Sequence, residues 1–113
     1  MIMKILIALL LSVSVAGATP CTDATYPISG NVLTAEGLGV RGARVTAVRA
    51  EDGARWSTVT RSFGRYRLLV PNCGSYELTA TARPYDFPYS FDFSLPSDQF
   101  TDGRSIDFVA VWP

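Results

Sequence analysis

Apolar and polar residues alternate along most of the chain beyond the N-terminal region. In the stretch 75–83, Tyr76 and Leu78 fall on one side of an extended strand, and Glu77 and Thr79 fall on the other. A period of two is typical of β-strands with one buried and one solvated face, whereas no stretch shows the period of an amphipathic helix. The pattern predicts seven strands, at 26–33, 43–49, 55–60, 65–70, 75–83, 89–95 and 105–112.

Turn-forming residues separate these predicted strands. Asp52-Gly53 between two apolar runs is a hairpin signal, and Ser62-Phe63-Gly64 joins the third and fourth strands tightly. Pro71 ends the fourth strand because it has no N–H to donate to a ladder. Several short antiparallel strands in a chain of 113 residues predict one all-β domain, arranged as a β-sandwich.

The N-terminal residues have the three parts of a secretory leader. One positive charge, at Lys4, precedes the apolar stretch 5–15, and the small residues Ala16 to Ala18 follow it. The apolar stretch is shorter than the roughly 20 residues that cross a bilayer, so we expect no stable membrane span after cleavage. The sequence therefore predicts a signal peptide at 1–18 and a mature domain at 19–113, secreted or periplasmic. An uncleaved N-terminal anchor is the alternative.

The chain contains two cysteines, Cys21 and Cys73, and both follow the leader. An even number of cysteines in an exported chain favours a disulfide bond over free thiols. The bond would close a loop of about 50 residues and stabilise the fold by roughly 4 kcal/mol through loop-closure entropy.

The inventory of side chains excludes several kinds of chemistry. The net charge is zero, which argues against a nucleic-acid partner. There is no histidine, so a Ser–His or Cys–His pair cannot form. Lys4 is the only lysine, so the mature chain has none. We therefore expect no catalytic residue, no cofactor and no metal site. A small hydrolase with paired carboxylates is a remote alternative, since a domain of this size has little room for a cleft.

Five short motifs together resemble the carboxypeptidase regulatory-like domain. They are Gly30-Asn31-Val32, the stretch from Gly39 to Val45, Thr60, the stretch from Phe63 to Leu68, and the stretch from Pro71 to Leu78. The resemblance covers about 28–82. It implies a prealbumin-like (transthyretin-like) fold, a seven-stranded antiparallel Greek-key β-sandwich with Tyr66 and Tyr76 in its core. Val40 and Arg61 stand where the family often has proline and aspartate.

The resemblance carries over no catalytic residue. It implies an accessory or binding module that contacts carbohydrate or a protein surface. A second hypothesis is a structural subunit of an extracellular assembly, which self-associates through its edge strands. Its motivation is the pair of apolar, outward-facing residues Val109 and Val111 on the last predicted strand.

Two clusters of residues are candidate binding surfaces. The first is a row of aromatic residues at a period of two, which either fills the core or exposes its outer members for stacking on a ligand. Tyr85 and Tyr89 are those outer members, and Trp56 is a similar candidate. The second cluster is cationic and suits carboxylate or phosphate, if a hairpin brings its arginines together; otherwise they form a solvated face that protects an edge. Its members are Arg55, Arg61, Arg65 and Arg67.

The predicted disulfide bond can be tested by peptide mapping without reduction. We expect one cross-linked peptide that joins Cys21 to Cys73, and a loss of about 4 kcal/mol in unfolding free energy after reduction. Recovery of both cysteines as free thiols would refute the bond.

Overall fold

A computed structural model describes residues 24–111, and these form an almost purely β-structure. A 3-10 turn, Ser62–Gly64, follows the third strand. None of the helical structure within 24–111 is long and apolar enough to cross a bilayer. The predicted signal peptide, Cys21 and Trp112 lie outside the described residues. The strands are β1 (Thr25–Leu33), β2 (Arg44–Arg49), β3 (Arg55–Val59), β4 (Arg65–Pro71), β5 (Gly74–Thr81), β6 (Phe91–Leu95), β7 (Arg104–Ser105) and β8 (Phe108–Val109).

The strands form two sheets. Sheet I has the order β4-β1-β7, and β8 also pairs with β1. Sheet II has the order β3-β2-β5-β6, with every pair antiparallel. The predicted all-β sandwich is confirmed, with eight strands rather than seven. The first six predicted strands are all present, with ends that differ from the prediction by no more than two residues.

The core lies between the sheets, where the predicted alternation places the apolar side chains. In β5, Tyr76, Leu78 and Ala80 are buried, while Glu77 is exposed. Tyr66 is also buried, which confirms both tyrosines as core residues. The other strands contribute Tyr26, Ile28, Val32, Val45, Ala47, Leu68, Val70, Phe93, Leu95 and Phe108.

The predicted last strand differs most from the structure. It is divided into β7 and β8, and both run parallel to β1 rather than antiparallel to a neighbour. Between them, the Ile106 N–H donates to the Ser29 carbonyl at 2.8 Å, which continues the pairing. The Asn31 N–H donates at 2.8 Å to the Asp107 carboxylate instead of a main-chain carbonyl. Because a side-chain oxygen replaces the main-chain acceptor, the ladder is interrupted there.

The interruption brings the Ile106 carbonyl against Gly30 in the middle of β1. A Cβ atom on residue 30 would lie 1.9 Å from the Ile106 oxygen, which no packing adjustment of a side chain could relieve. The Tyr66 hydroxyl donates to the same oxygen at 2.5 Å from inside the core. Burial and the nearby charge of Asp107 raise the pKa of Tyr66, so it remains a neutral donor.

We expect Gly30→Ala to lower the unfolding free energy by about 3 kcal/mol or more, because the added methyl group meets main-chain atoms. Gly42→Ala is the matched control. Residue 42 has a φ of 82° and open space around it, so only backbone strain of about 1 kcal/mol opposes that change. Urea unfolding of both variants measures the difference. Equal losses in the two would contradict the close approach.

Candidate functional site

The chain crosses from sheet II to sheet I between β3 and β4. Thr60 is buried immediately after β3, where its hydroxyl donates to the Val40 carbonyl at 2.6 Å and accepts from the Ala43 N–H at 2.9 Å. Across the 3-10 turn that follows, the Arg61 N–H donates to the Arg65 carbonyl at 2.8 Å. β3 and β4 do not form the hairpin considered for the arginine cluster, because the two strands are the edges of different sheets on one side of the sandwich.

That side of the sandwich carries a groove of about 670 Å³ along β4. We call it the arginine groove. Arg61, Arg65 and Arg67 line it, together with two partly exposed apolar side chains, Val59 and Leu69. The crossing therefore assembles three of the four predicted arginines, although by a route other than a hairpin.

The fourth arginine, Arg55, does not line the groove. It begins β3 and pairs in register with Val48, at the opposite end of the strand from Arg61. The sequence pattern predicts Arg55 and Arg61 on the same strand face. The strand ends before residue 61, however, so the pattern does not hold there and the two arginines are separated.

The main chain of β4 is part of the groove. The Ser29 carbonyl accepts from Ile106, so the main chain of Ser29 faces β7. Its partner across the ladder, Arg67, consequently directs its N–H and carbonyl away from β1. Leu69, two residues on, has the same orientation. Within residues 24–111, β4 has no strand on that side, so the groove offers free hydrogen-bonding groups beside its cations.

Phe63 stands beside the groove in an unusual conformation that sequence reasoning missed. It has a φ of 61°, in the left-handed region that bulky residues rarely adopt, and its side chain is 74% exposed. The Arg65 guanidinium lies 5.5 Å from its ring centre. Leu38, 64% exposed, is next to Gly39, whose Cβ position would lie 2.2 Å from the Phe63 carbonyl carbon. Strain without burial is a reason to suspect a contact surface.

Most rings of the candidate aromatic row pack in or against the core. Phe87 and Phe93 are buried, and Tyr85, Tyr89 and Phe91 are half-buried against the core. The Tyr89 hydroxyl donates to the Val109 carbonyl at 2.7 Å and lies 2.5 Å from the Val109 nitrogen. The ring of Tyr89 thus ties the segment before β6 to the edge strand β8.

Trp56 is enclosed from two sides. Its ring meets Tyr76 edge to face at 5.8 Å, and the Arg49 guanidinium lies 5.1 Å from the ring centre. Arg49 is held there by an ion pair with Asp52 at 2.6 Å. Hydrogen bonds from Arg49 and from the Ala54 N–H lower the pKa of Asp52 to about 2.

Cys73 is not a free thiol and lies half-buried in the turn between β4 and β5. Its predicted partner, Cys21, is outside the described residues, so their pairing stays a prediction. Residues 24–111 contain no group of three or more side chains that could hold a metal ion.

The fold and the groove define a small β-sandwich module with a cationic edge. The sequence model of the carboxypeptidase regulatory-like domain matches residues 27–107, and the chain belongs to that family. This confirms the resemblance seen in its motifs. The sequence has no significant match among curated proteins.

Solved structures share the fold at low sequence identity. The C-terminal domain of shaft pilin spaA from Lactobacillus rhamnosus GG is 15% identical, with a TM-score of 0.54 over 80% of this chain and 100% of that domain. The Bacillus anthracis TIE protein is 18% identical, with a TM-score of 0.51 over 74% of this chain and 16% of that protein. Chlorocatechol 1,2-dioxygenase from Pseudomonas putida is 15% identical, with a TM-score of 0.50 over 82% and 63%.

We expect Phe63→Asn to raise the unfolding free energy by about 0.5 kcal/mol or more. Asparagine tolerates a left-handed φ, which relieves about 1 kcal/mol of strain, and this outweighs the loss of an exposed cation–π contact. Leu38→Asn is the control, since Leu38 is similarly exposed but does not have a left-handed φ. Chemical denaturation measures both variants. A destabilised Phe63→Asn would show that the ring contributes packing rather than strain.

Proposed function

We propose that this chain is an exported, non-catalytic module that docks an acidic, extended segment of a partner protein in the arginine groove. The observation that carries the proposal is the combination of three arginines with the free main-chain edge of β4. An incoming strand would pair with Arg67 and Leu69 through main-chain hydrogen bonds. Guanidinium groups on the same strand would bind its carboxylates.

The surroundings of the groove support a protein partner. Val59 and Leu69 are 45% and 43% exposed, so they offer apolar contact to alternate side chains of a docked strand. Phe63 adds an exposed aromatic residue at the end of the groove, of the kind that often anchors an interface.

Carbohydrate binding has less support in the arrangement of the rings. Tyr85 and Tyr89 are half-buried against the core, and Trp56 is covered by Tyr76 and Arg49. Sugar stacking needs a ring face that is open to solvent. These three residues remain candidates, but a partner would have to displace existing contacts to reach them.

Export and the absence of catalysis are parts of the same proposal. The leader at 1–18 and the predicted disulfide bond support an oxidising compartment, periplasmic or extracellular. The lack of histidine, and of lysine after the leader, supports a role without acid–base or nucleophilic chemistry. Likeness to a shaft pilin domain is consistent with an extracellular structural role.

A labelled ten-residue peptide of alternating valine and glutamate tests the groove by fluorescence polarisation. We expect Arg67→Glu to weaken binding about tenfold or more, because it replaces charge-assisted bonds with repulsion. Arg83→Glu is the matched control, since Arg83 is an exposed arginine that does not line the groove. Equal affinity in Arg67→Glu and the native protein would contradict the proposal.

Variants of Leu69 test the main-chain pairing separately. Leu69→Pro removes an outward N–H on an edge strand, where proline is tolerated, and Leu69→Ala removes only side-chain contact. Binding that is weaker in Leu69→Pro than in Leu69→Ala supports strand addition. Equal affinities would indicate a docking mode without it.

A further inference from the structure

The charges of this chain are segregated along the sequence. Residues 55–71 contain four arginines and no carboxylate, whereas residues 86–107 contain five aspartates and one arginine. The first stretch forms β3, β4 and the crossing between them. The second forms β6, β7 and their connection, and it continues to the start of β8.

The fold places the strands of the two stretches at opposite edges of the sandwich, although Arg67 and Asp102 also line one shallow depression across sheet I. β3 and β4 are the edges of sheets II and I on one side of the sandwich, and β6 and β7 are the edges on the other. Within residues 24–111 the one ion pair joins Arg49 to Asp52, so neither charged side is neutralised by salt bridges within the described chain. A chain with zero net charge thus presents a basic side and an acidic side.

The edges of sheet II are complementary in length and direction. β3 and β6 each have five residues, and the alternating antiparallel order means that they run in opposite directions. A second copy placed beside the first by translation therefore sets its β6 antiparallel to β3. The sheet could continue from copy to copy without a change of strand polarity.

The main-chain groups of both edges point outward at matching positions. The main-chain N–H of Thr60 donates to the Ala43 carbonyl, so the main chain of Ser57 and of its alternate neighbours on β3 faces away from β2. The Ser75 carbonyl accepts from Ala50, so β5 turns its even-numbered residues toward β6. Asp92, which is paired in register with the odd-numbered Glu77, consequently directs its main chain outward.

The acidic edge contains a pair of like charges whose repulsion a nearby cation would reduce. Glu77 and Asp92 lie directly opposite each other on the exposed face of sheet II. Like charges at such positions repel, which destabilises the pairing of the two strands. An arginine from an adjoining β3 would lie beside both carboxylates, and Arg55 is the exposed arginine of that edge.

We propose that the acidic partner of the basic side is the β6 side of a second copy of this chain. The inference rests on the proposed function, since it names the acidic partner of the arginine groove, but it places the strand pairing on β3 beside the groove rather than on β4. In this arrangement β3 of one copy pairs with β6 of the next, and the groove faces the connection that carries Asp98 and Asp102. The two surfaces differ, so the contact is head-to-tail and leads to open chains of copies rather than closed dimers.

Charge-reversal variants test the arrangement by analytical ultracentrifugation in low salt. We expect the native protein to show an average mass that rises with concentration and falls as salt screens the contact. Arg65→Glu combined with Arg67→Glu breaks the basic side, and Asp92→Arg combined with Asp98→Arg breaks the acidic side. Each double variant alone should be monomeric, with an unchanged far-ultraviolet circular dichroism spectrum.

Mixing the two double variants gives the decisive result. Each retains the side that the other has lost, and the two reversed sides also carry opposite charges, so we expect mixing to restore association that neither variant shows alone. Arg83→Glu, a control outside both sides, should associate like the native protein. Among the variants, either of two outcomes overturns the inference: a mixture that stays monomeric, or a double variant that still associates by itself.

The peptide measurement separates this inference from the proposed function. A native protein that remains monomeric at millimolar concentration but binds the acidic peptide overturns self-association and leaves the docking groove in place. A protein that neither associates nor binds the peptide overturns both.

Discussion

The contact between the Ile106 carbonyl and Gly30 determines how sheet I is closed on one side and left open on the other. The C-terminal strands can run parallel to β1 because residue 30 has no side chain to hold them off. Tyr66 reaches the same carbonyl from β4, across the core side of β1. One glycine and one hydroxyl group therefore join three strands, and β4 is left as the edge that borders the arginine groove.

A free edge is normally a hazard, because its unpaired main-chain groups can template aggregation. The usual protections are charges and short strands, and this chain has both: four arginines near one pair of edges, and only five residues in β3 and in β6. The arginines of the groove can therefore be explained as protection alone. The exposed Phe63 and the apolar flanks at Val59 and Leu69 are not explained in that way, since a protective edge would avoid apolar exposure.

Most of the fold could be predicted from the sequence, because a strand with one buried face produces an alternation of apolar and polar residues. The errors arise at features that this alternation does not determine, such as how two strands are connected. A short connection after β3 is compatible with a hairpin, but a turn of that length can also cross between sheets, and here the buried hydrogen bonds of Thr60 hold the chain at the point of crossing. The division of the last strand depends on one side-chain acceptor, Asp107. The left-handed conformation of Phe63 was missed because phenylalanine normally avoids a positive φ, so its presence in a sequence does not indicate one. The following Gly64 indicates only that a turn is there.

Charge on an edge discriminates between partners as well as protecting it. Two β3 edges repel each other through their arginines, and two β6 edges repel through Asp92 and the neighbouring Glu77. Only unlike edges attract, so the same residues that oppose indiscriminate pairing favour one relative orientation of two strands. An uncharged edge of the same length would discriminate less between the strands that approach it. The zero net charge of the chain therefore hides a polar distribution of charge. The fold places most of the arginines of one stretch and most of the aspartates of the other at different edges of one sandwich.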